Sequence, residues 1–149
     1  MTFITTTNSV EDTLDVAAKL AARLRAGDCV ELVGDLGSGK THFVKGLAAG
    51  LGYKGEVTSP TFTISQIYSL PGDRHLYHFD FYRLAGDHLI AGELGDALAD
   101  PQSIVVTEWG QTMHAVLPLD RFRVSLEASE SGGRQIKIEG PSSRLEGLK

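Results

Sequence analysis

A chain of 149 residues with 42% hydrophobic content and a formal charge of −5 can bury a substantial core without disulfides or metals, yet is too short for two independent domains. No apolar run approaches the roughly 18 residues of a membrane span, and no window concentrates Lys and Arg as a phosphate-backbone footprint would require, so direct, unaided binding of nucleic acid is not expected. The start, Met1 to Asn8, lacks the charged and apolar regions of a signal peptide, and the single cysteine, Cys29, falls in a predicted core strand, which points to the cytoplasm.

In chain order, Ser9-Val10-Glu11-Asp12 opens an apolar pattern of Val10, Leu14, Ala17, Leu20, Ala21 and Leu24 that stops at Gly27. This reads as a capped amphipathic helix, with Ser9 either a plain N-cap or a nucleotide contact. Cys29 to Val33 is a short apolar and β-branched run, hence a buried strand, and it leads directly into Gly34-Asp35-Leu36-Gly37-Ser38-Gly39-Lys40-Thr41. Beyond it Phe43, Val44, Leu47, Ala48 and Leu51 recur at helical spacing up to Gly52. Thr58-Ser59-Pro60-Thr61-Phe62 is a loop with an extended exit, because the residue before proline avoids the α region.

Phe62, Ile64, Ile67 and Tyr68 are expected on one side of a strand, divided by Leu70-Pro71-Gly72-Asp73 from a second run, Leu76 to Tyr82, so that the pair forms a hairpin. Residues from about Leu89 to Leu98 are rich in Ala, Leu and Glu and read as a helix despite Gly92 and Gly95. Ile104-Val105-Val106 suits a parallel strand covered on both faces. Phe122 to Leu126 and Gln135 to Ile138 alternate around Ser131-Gly132-Gly133, a terminal hairpin with one wet face, and the tail from Pro141 onward has little to bury and is expected to be loose.

The segment Gly34 to Thr41 fits G-x-x-x-x-G-K-[ST] without exception. Its glycines let successive N–H groups form an anion-binding concavity at the positive end of the following helix. Lys40 would reach the β- and γ-phosphates and the Thr41 hydroxyl would hold Mg²⁺. Ligands of open α/β sheets collect beyond the carboxyl ends of parallel strands, where two acids qualify: Asp80, after Leu76-Tyr77-His78-Phe79, and Glu108, after the cleaner apolar run. Either could bind Mg²⁺, polarise a water for attack on the γ-phosphate, or be a solvated strand-end acid. Tyr77, Phe79 and Phe81 share one strand face and suit a core, His78 suits a partner of a neighbouring acid, and Trp109 could pack near the nucleotide or close the core.

Taken in series, these motifs resemble the TsaE family, formerly the YjeE family, of bacterial P-loop ATPases required for threonylcarbamoyl modification of adenosine in tRNA. The resemblance runs through Ser9-x-x-Asp12-Thr13, the phosphate loop, Thr58 to Phe62, His78-Phe79-Asp80-Phe81-Tyr82-Arg83, Glu93-Leu94-Gly95 and Glu108-Trp109, nearly the whole chain. It implies one α/β domain with a three-layer P-loop NTPase-like fold, a mainly parallel central sheet and added antiparallel hairpins. It further implies that Gly37, Ser38, Gly39, Lys40, Thr41 and His42 wrap the phosphates of ATP and that Thr41 and Glu108 hold Mg²⁺. Asp80 would sit beside the nucleotide, Thr61 in a switch-like loop near the γ-phosphate, and Ser9 and Val10 at the adenine side. Gly133-Arg134 matches a turn whose arginine reaches the nucleotide. Ser38 stands where the family more often has alanine, and His42 where it has a second threonine. The implied partners are a threonylcarbamoyl transferase subunit and its inactive homologue, of TsaD and TsaB type, which would hold the tRNA while ATP hydrolysis resets the complex. The competing readings are a small-molecule kinase, for which no arginine-rich helical lid is evident, and a nucleotide-dependent binding switch with negligible hydrolysis.

Overall fold

The computed structural model describes residues 2–35, 37–57, 65–81, 88–109, 116–130 and 132–148. In chain order the elements are β1 (Thr2–Thr7), α1 (Val10–Ala21), β2 (Cys29–Val33), α2 (Lys40–Gly50), β3 (Ser65–Leu70), β4 (Arg74–Asp80), α3 (His88–Ala99), β5 (Ser103–Glu108), β6 (Phe122–Ala128), β7 (Arg134–Glu139) and α4 (Ser142–Leu145). All seven strands join one sheet in the order β1-β7-β6-β2-β5-β4-β3. The inner four, β6, β2, β5 and β4, run parallel. Antiparallel partners extend them on both sides, β3 on β4 and the β6-β7-β1 ladder at the far edge. The central apolar runs are thus strands covered on both faces, and every residue of β5 is buried.

Helices α1, α2 and α4 pack with Val30, Leu32, Ile104, Val106 and Phe122 on one face of the sheet. On the other face Leu94 and Ala97 of α3 pack with Phe79, Phe81 and Val105. The architecture is therefore a three-layer α/β fold of the P-loop type. Ser9 caps α1 by accepting the Asp12 N–H at 3.1 Å, the role its sequence position suggested. Helices α1 and α2 approach closely because Gly46 and Gly50 face Ala17 and Ala21. A Cβ at Gly46 would lie 2.6 Å from the Ala17 Cβ, and one at Gly50 would lie 2.7 Å from the Ala21 Cβ.

One feature had no sequence expectation and two differ from theirs. The run Thr2 to Thr7, for which no element was expected, is an edge strand paired in register with β7, from Thr2 opposite Glu139 to Thr7 opposite Arg134. Ile67 and Tyr68 do not share a side: successive strand residues alternate, so Ile67 is exposed while Tyr68 is buried against Tyr53, ring centroids 4.8 Å apart. The tail from Pro141 is docked, not loose. Leu145 and Leu148 are buried in the main core, and the Arg144 guanidinium, over the Phe122 ring, pairs with Asp28 at 2.5 Å and donates to the Arg23 carbonyl. Three anchors, in and just after α4, suffice for so short a segment. A further contact that the sequence did not suggest is Glu31, a carboxylate 1% exposed on β2, paired with Arg121 at 3.1 Å and Arg123 at 3.7 Å.

Candidate functional site

The carboxyl ends of β2, β4 and β5 lie side by side, and the loop after β2 delivers α2 to them. Gly39 occupies the N-cap of α2 with φ +102°, in the left-handed region that glycine enters without steric cost, and no side chain caps the helix. The positive pole of α2 is therefore presented by backbone alone, which favours an anion. Lys40, the first residue of α2, is buried, and its ammonium donates to the carbonyls of Gly34 and, at 3.2 Å, Asp35. It also lies 4.1 Å from the centre of the Trp109 ring. Burial pushes this ammonium below the ordinary lysine range, while the carboxylates of Glu108, Asp80 and Asp35 pull it the other way. Thr41 follows half-buried, and His42 and Gly37 are exposed.

Asp80 and Glu108 are register partners across the parallel β4–β5 pair, so the two acids that the sequence singled out stand abreast at the carboxyl end of the sheet. Asp80 is half-buried and Glu108 is 3% exposed. One oxygen of Glu108, Oε2, lies 2.5 Å from Nε2 of the fully buried His78, which makes His78 the partner of a neighbouring acid. Trp109 directly after β5 has φ +57°, a left-handed backbone that bulky residues seldom adopt and that clusters at functional sites. This strain carries its ring over Lys40.

The terminal hairpin closes the site from the other side. Arg134 of β7 donates through Nη2 to the Gly37 carbonyl at 3.2 Å, a contact across 97 positions of chain. Gly133 permits it, since a Cβ there would lie 2.3 Å from the Thr7 carbonyl and 2.8 Å from Asn8 Oδ1. The turn is thus pressed against the entry to α1, beside Ser9 and the 46%-exposed Val10. Gly133→Ala is expected to cost about 1–3 kcal/mol of stability, as overpacking does, and to free Arg134 from the phosphate loop. Denaturant unfolding checks the first effect, and an unchanged midpoint would contradict the packing.

The structure gathers Lys40, Thr41, Asp80, Glu108, Trp109 and Arg134 at this end of the sheet. Thr61 and Arg83 lie outside the described residues. Among the described residues no three His, Cys, Asp or Glu side chains come together as a metal cage. A hydroxyl and one or two carboxylates are what Mg²⁺ uses, its other ligands being waters and phosphates, so this donor set fits that ion. The Lys40–Trp109 stack and the Glu31 ion pair were missed because neither has a local signal: each joins residues far apart in sequence.

Comparison with known proteins identifies the family. The family model described as "Threonylcarbamoyl adenosine biosynthesis protein TsaE" matches residues 7–136. The chain is similar to the "tRNA threonylcarbamoyladenosine biosynthesis protein TsaE" of Streptomyces coelicolor, 43% identical over 76% of this chain and 77% of that one. It is also similar to the protein of the same name from Bacillus subtilis, 37% identical over 93% and 85% respectively. The crystal structure of the Bacillus subtilis protein YdiB superposes with a TM-score of 0.78 and 32% identity, covering 99% of this chain and 91% of that one. No helix among the described residues is long and apolar enough to cross a membrane. With matches of this extent, from strand β1 into strand β7, the chain belongs to the TsaE family.

Proposed function

We propose that this chain binds ATP with Mg²⁺, hydrolyses it, and serves tRNA threonylcarbamoyladenosine biosynthesis as an accessory subunit that resets the transferase between rounds. The observation that carries this reading is the convergence of Lys40, the bare N-terminus of α2, Arg134 and the Asp80–Glu108 pair on one end of the sheet. Lys40 exchanges the Gly34 and Asp35 carbonyls for the β- and γ-phosphates. Arg134 adds a second cation to the same anion. The Thr41 hydroxyl and the Glu108 carboxylate would hold Mg²⁺, which would supply charge neutralisation to the phosphates. Asp80, the register partner of Glu108, would then orient the attacking water.

The names borne by the relatives supply the process, and the chain's charge of −5, which disfavours direct tRNA binding, fits a reading in which partner subunits of TsaD and TsaB type hold the tRNA. Resetting has a specific kinetic consequence. In a reconstituted reaction with purified transferase and partner subunit, the first equivalent of modified tRNA is expected without this chain, and later equivalents only with it and ATP. Equal dependence in the first and later rounds would overturn resetting.

A further inference from the structure

His78 occupies a position that packing alone would give to an aliphatic residue. It lies in β4 opposite Val106 of β5, on the sheet face where Leu76, Ile104 and Val106 join the main core, and it is fully buried. Its Nδ1 is buried with no hydrogen-bond partner among the described residues. A ring with an unpartnered nitrogen is costly in such surroundings, so the other nitrogen must account for its presence. That nitrogen, Nε2, lies 2.5 Å from Oε2 of Glu108, itself 3% exposed. The proton is assigned to Nε2, because an ionised carboxylate can only accept. The bond also runs diagonally: His78 is in register with Val106, two residues before Glu108, so it reaches along the strands toward the site end of the sheet.

We propose that His78 is a positioning residue: by donating to Oε2 it fixes the rotamer of Glu108 and leaves the second carboxylate oxygen for the metal. This rests on the reading of Glu108 as a Mg²⁺ ligand. Hydrogen bonds of this kind orient a ligand before the metal arrives, and their loss characteristically costs about 10–100-fold in metal affinity. Thr41 and the phosphates would still bind, so nucleotide affinity in the absence of metal should not depend on His78.

The test uses the full chain loaded with ADP, with Mn²⁺ as the probe and its affinity measured by electron paramagnetic resonance. His78→Leu is expected to weaken Mn²⁺ binding about 10–100-fold while ADP affinity in EDTA stays at the parental value. His78→Gln, whose amide nitrogen reaches the position of Nε2, should recover most of the loss; His78→Asn, whose amide is too short, should not. If His78→Leu does not fold, the Gln and Asn pair carries the comparison, and equal Mn²⁺ affinity in the two would overturn the proposal. Adding Glu108→Gln separates the layers. If Glu108→Gln weakens Mn²⁺ binding but His78→Leu does not, positioning is wrong. If Glu108→Gln itself has no effect, the metal-ligand reading fails and the proposal falls with it. If His78→Leu weakens binding as much in the Glu108→Gln background as alone, the effect does not pass through Glu108.

Discussion

Lys40→Ala is expected to weaken ATP binding by about 10–100-fold, from the worth of charge-assisted hydrogen bonds at about 1.5–3 kcal/mol and the tenfold change per 1.4 kcal/mol. Calorimetric titration reads this directly, and unchanged affinity would remove Lys40 from the phosphate site. A second signal comes from Trp109, the chain's single tryptophan, whose ring lies 4.1 Å from the ammonium. When phosphates draw Lys40 away from that ring, the indole emission changes; in the alanine variant that component is absent. The loss is not one of folding. Burial holds the folded-state Lys40 pKa below the ordinary lysine range, whereas an unfolded lysine keeps its proton to about pH 10.4. Between those two values the unfolded chain binds more protons, so parental stability rises with pH. The alanine variant lacks that rise, and at neutral pH it no longer buries a charge.

Glu108→Gln is expected to leave nucleotide affinity in EDTA intact and to lower Mg²⁺-dependent turnover by roughly a hundredfold, the upper range for disturbing a metal-holding group. The amide keeps the shape of a side chain that is 3% exposed, and its oxygen still accepts from His78. What changes is the atom facing the metal: an uncharged NH2 group, which cannot ligate a cation, replaces the second carboxylate oxygen. Single-turnover hydrolysis with the protein in saturating excess over ATP separates this from binding, and a parental rate in the variant would transfer the role to Asp80, its register partner across the β4–β5 pair.

The phosphate loop was legible because its chemistry is local: a strand, three glycines, a lysine and a helix must follow one another, and Cys29 to Gly50 does so. Strand β5 was legible because an uninterrupted apolar run has few other uses, and its end delivered Glu108 and Trp109. Relations among distant residues were harder. Nothing near Trp109 in sequence foretells φ +57°, and nothing near Glu31 foretells Arg121, ninety positions away. The docked tail was lost for a related reason: Leu145 and Leu148 look sparse along the chain, yet they close on a core assembled by α1 and β6. The first strand, rich in threonine, had the β propensity to be recognised, but its value lies in the partner, β7, that it meets only after the rest of the sheet is built.

Partner-dependent hydrolysis tests the account most directly. ATP turnover by the pure chain with Mg²⁺ is to be measured alone and with the transferase subunit and its inactive homologue, in the absence of any phosphate acceptor. The expected result is slow turnover alone and strong stimulation by the pair, abolished by Lys40→Ala. No binding to the pair and no stimulation by it would contradict an accessory ATPase of tRNA modification.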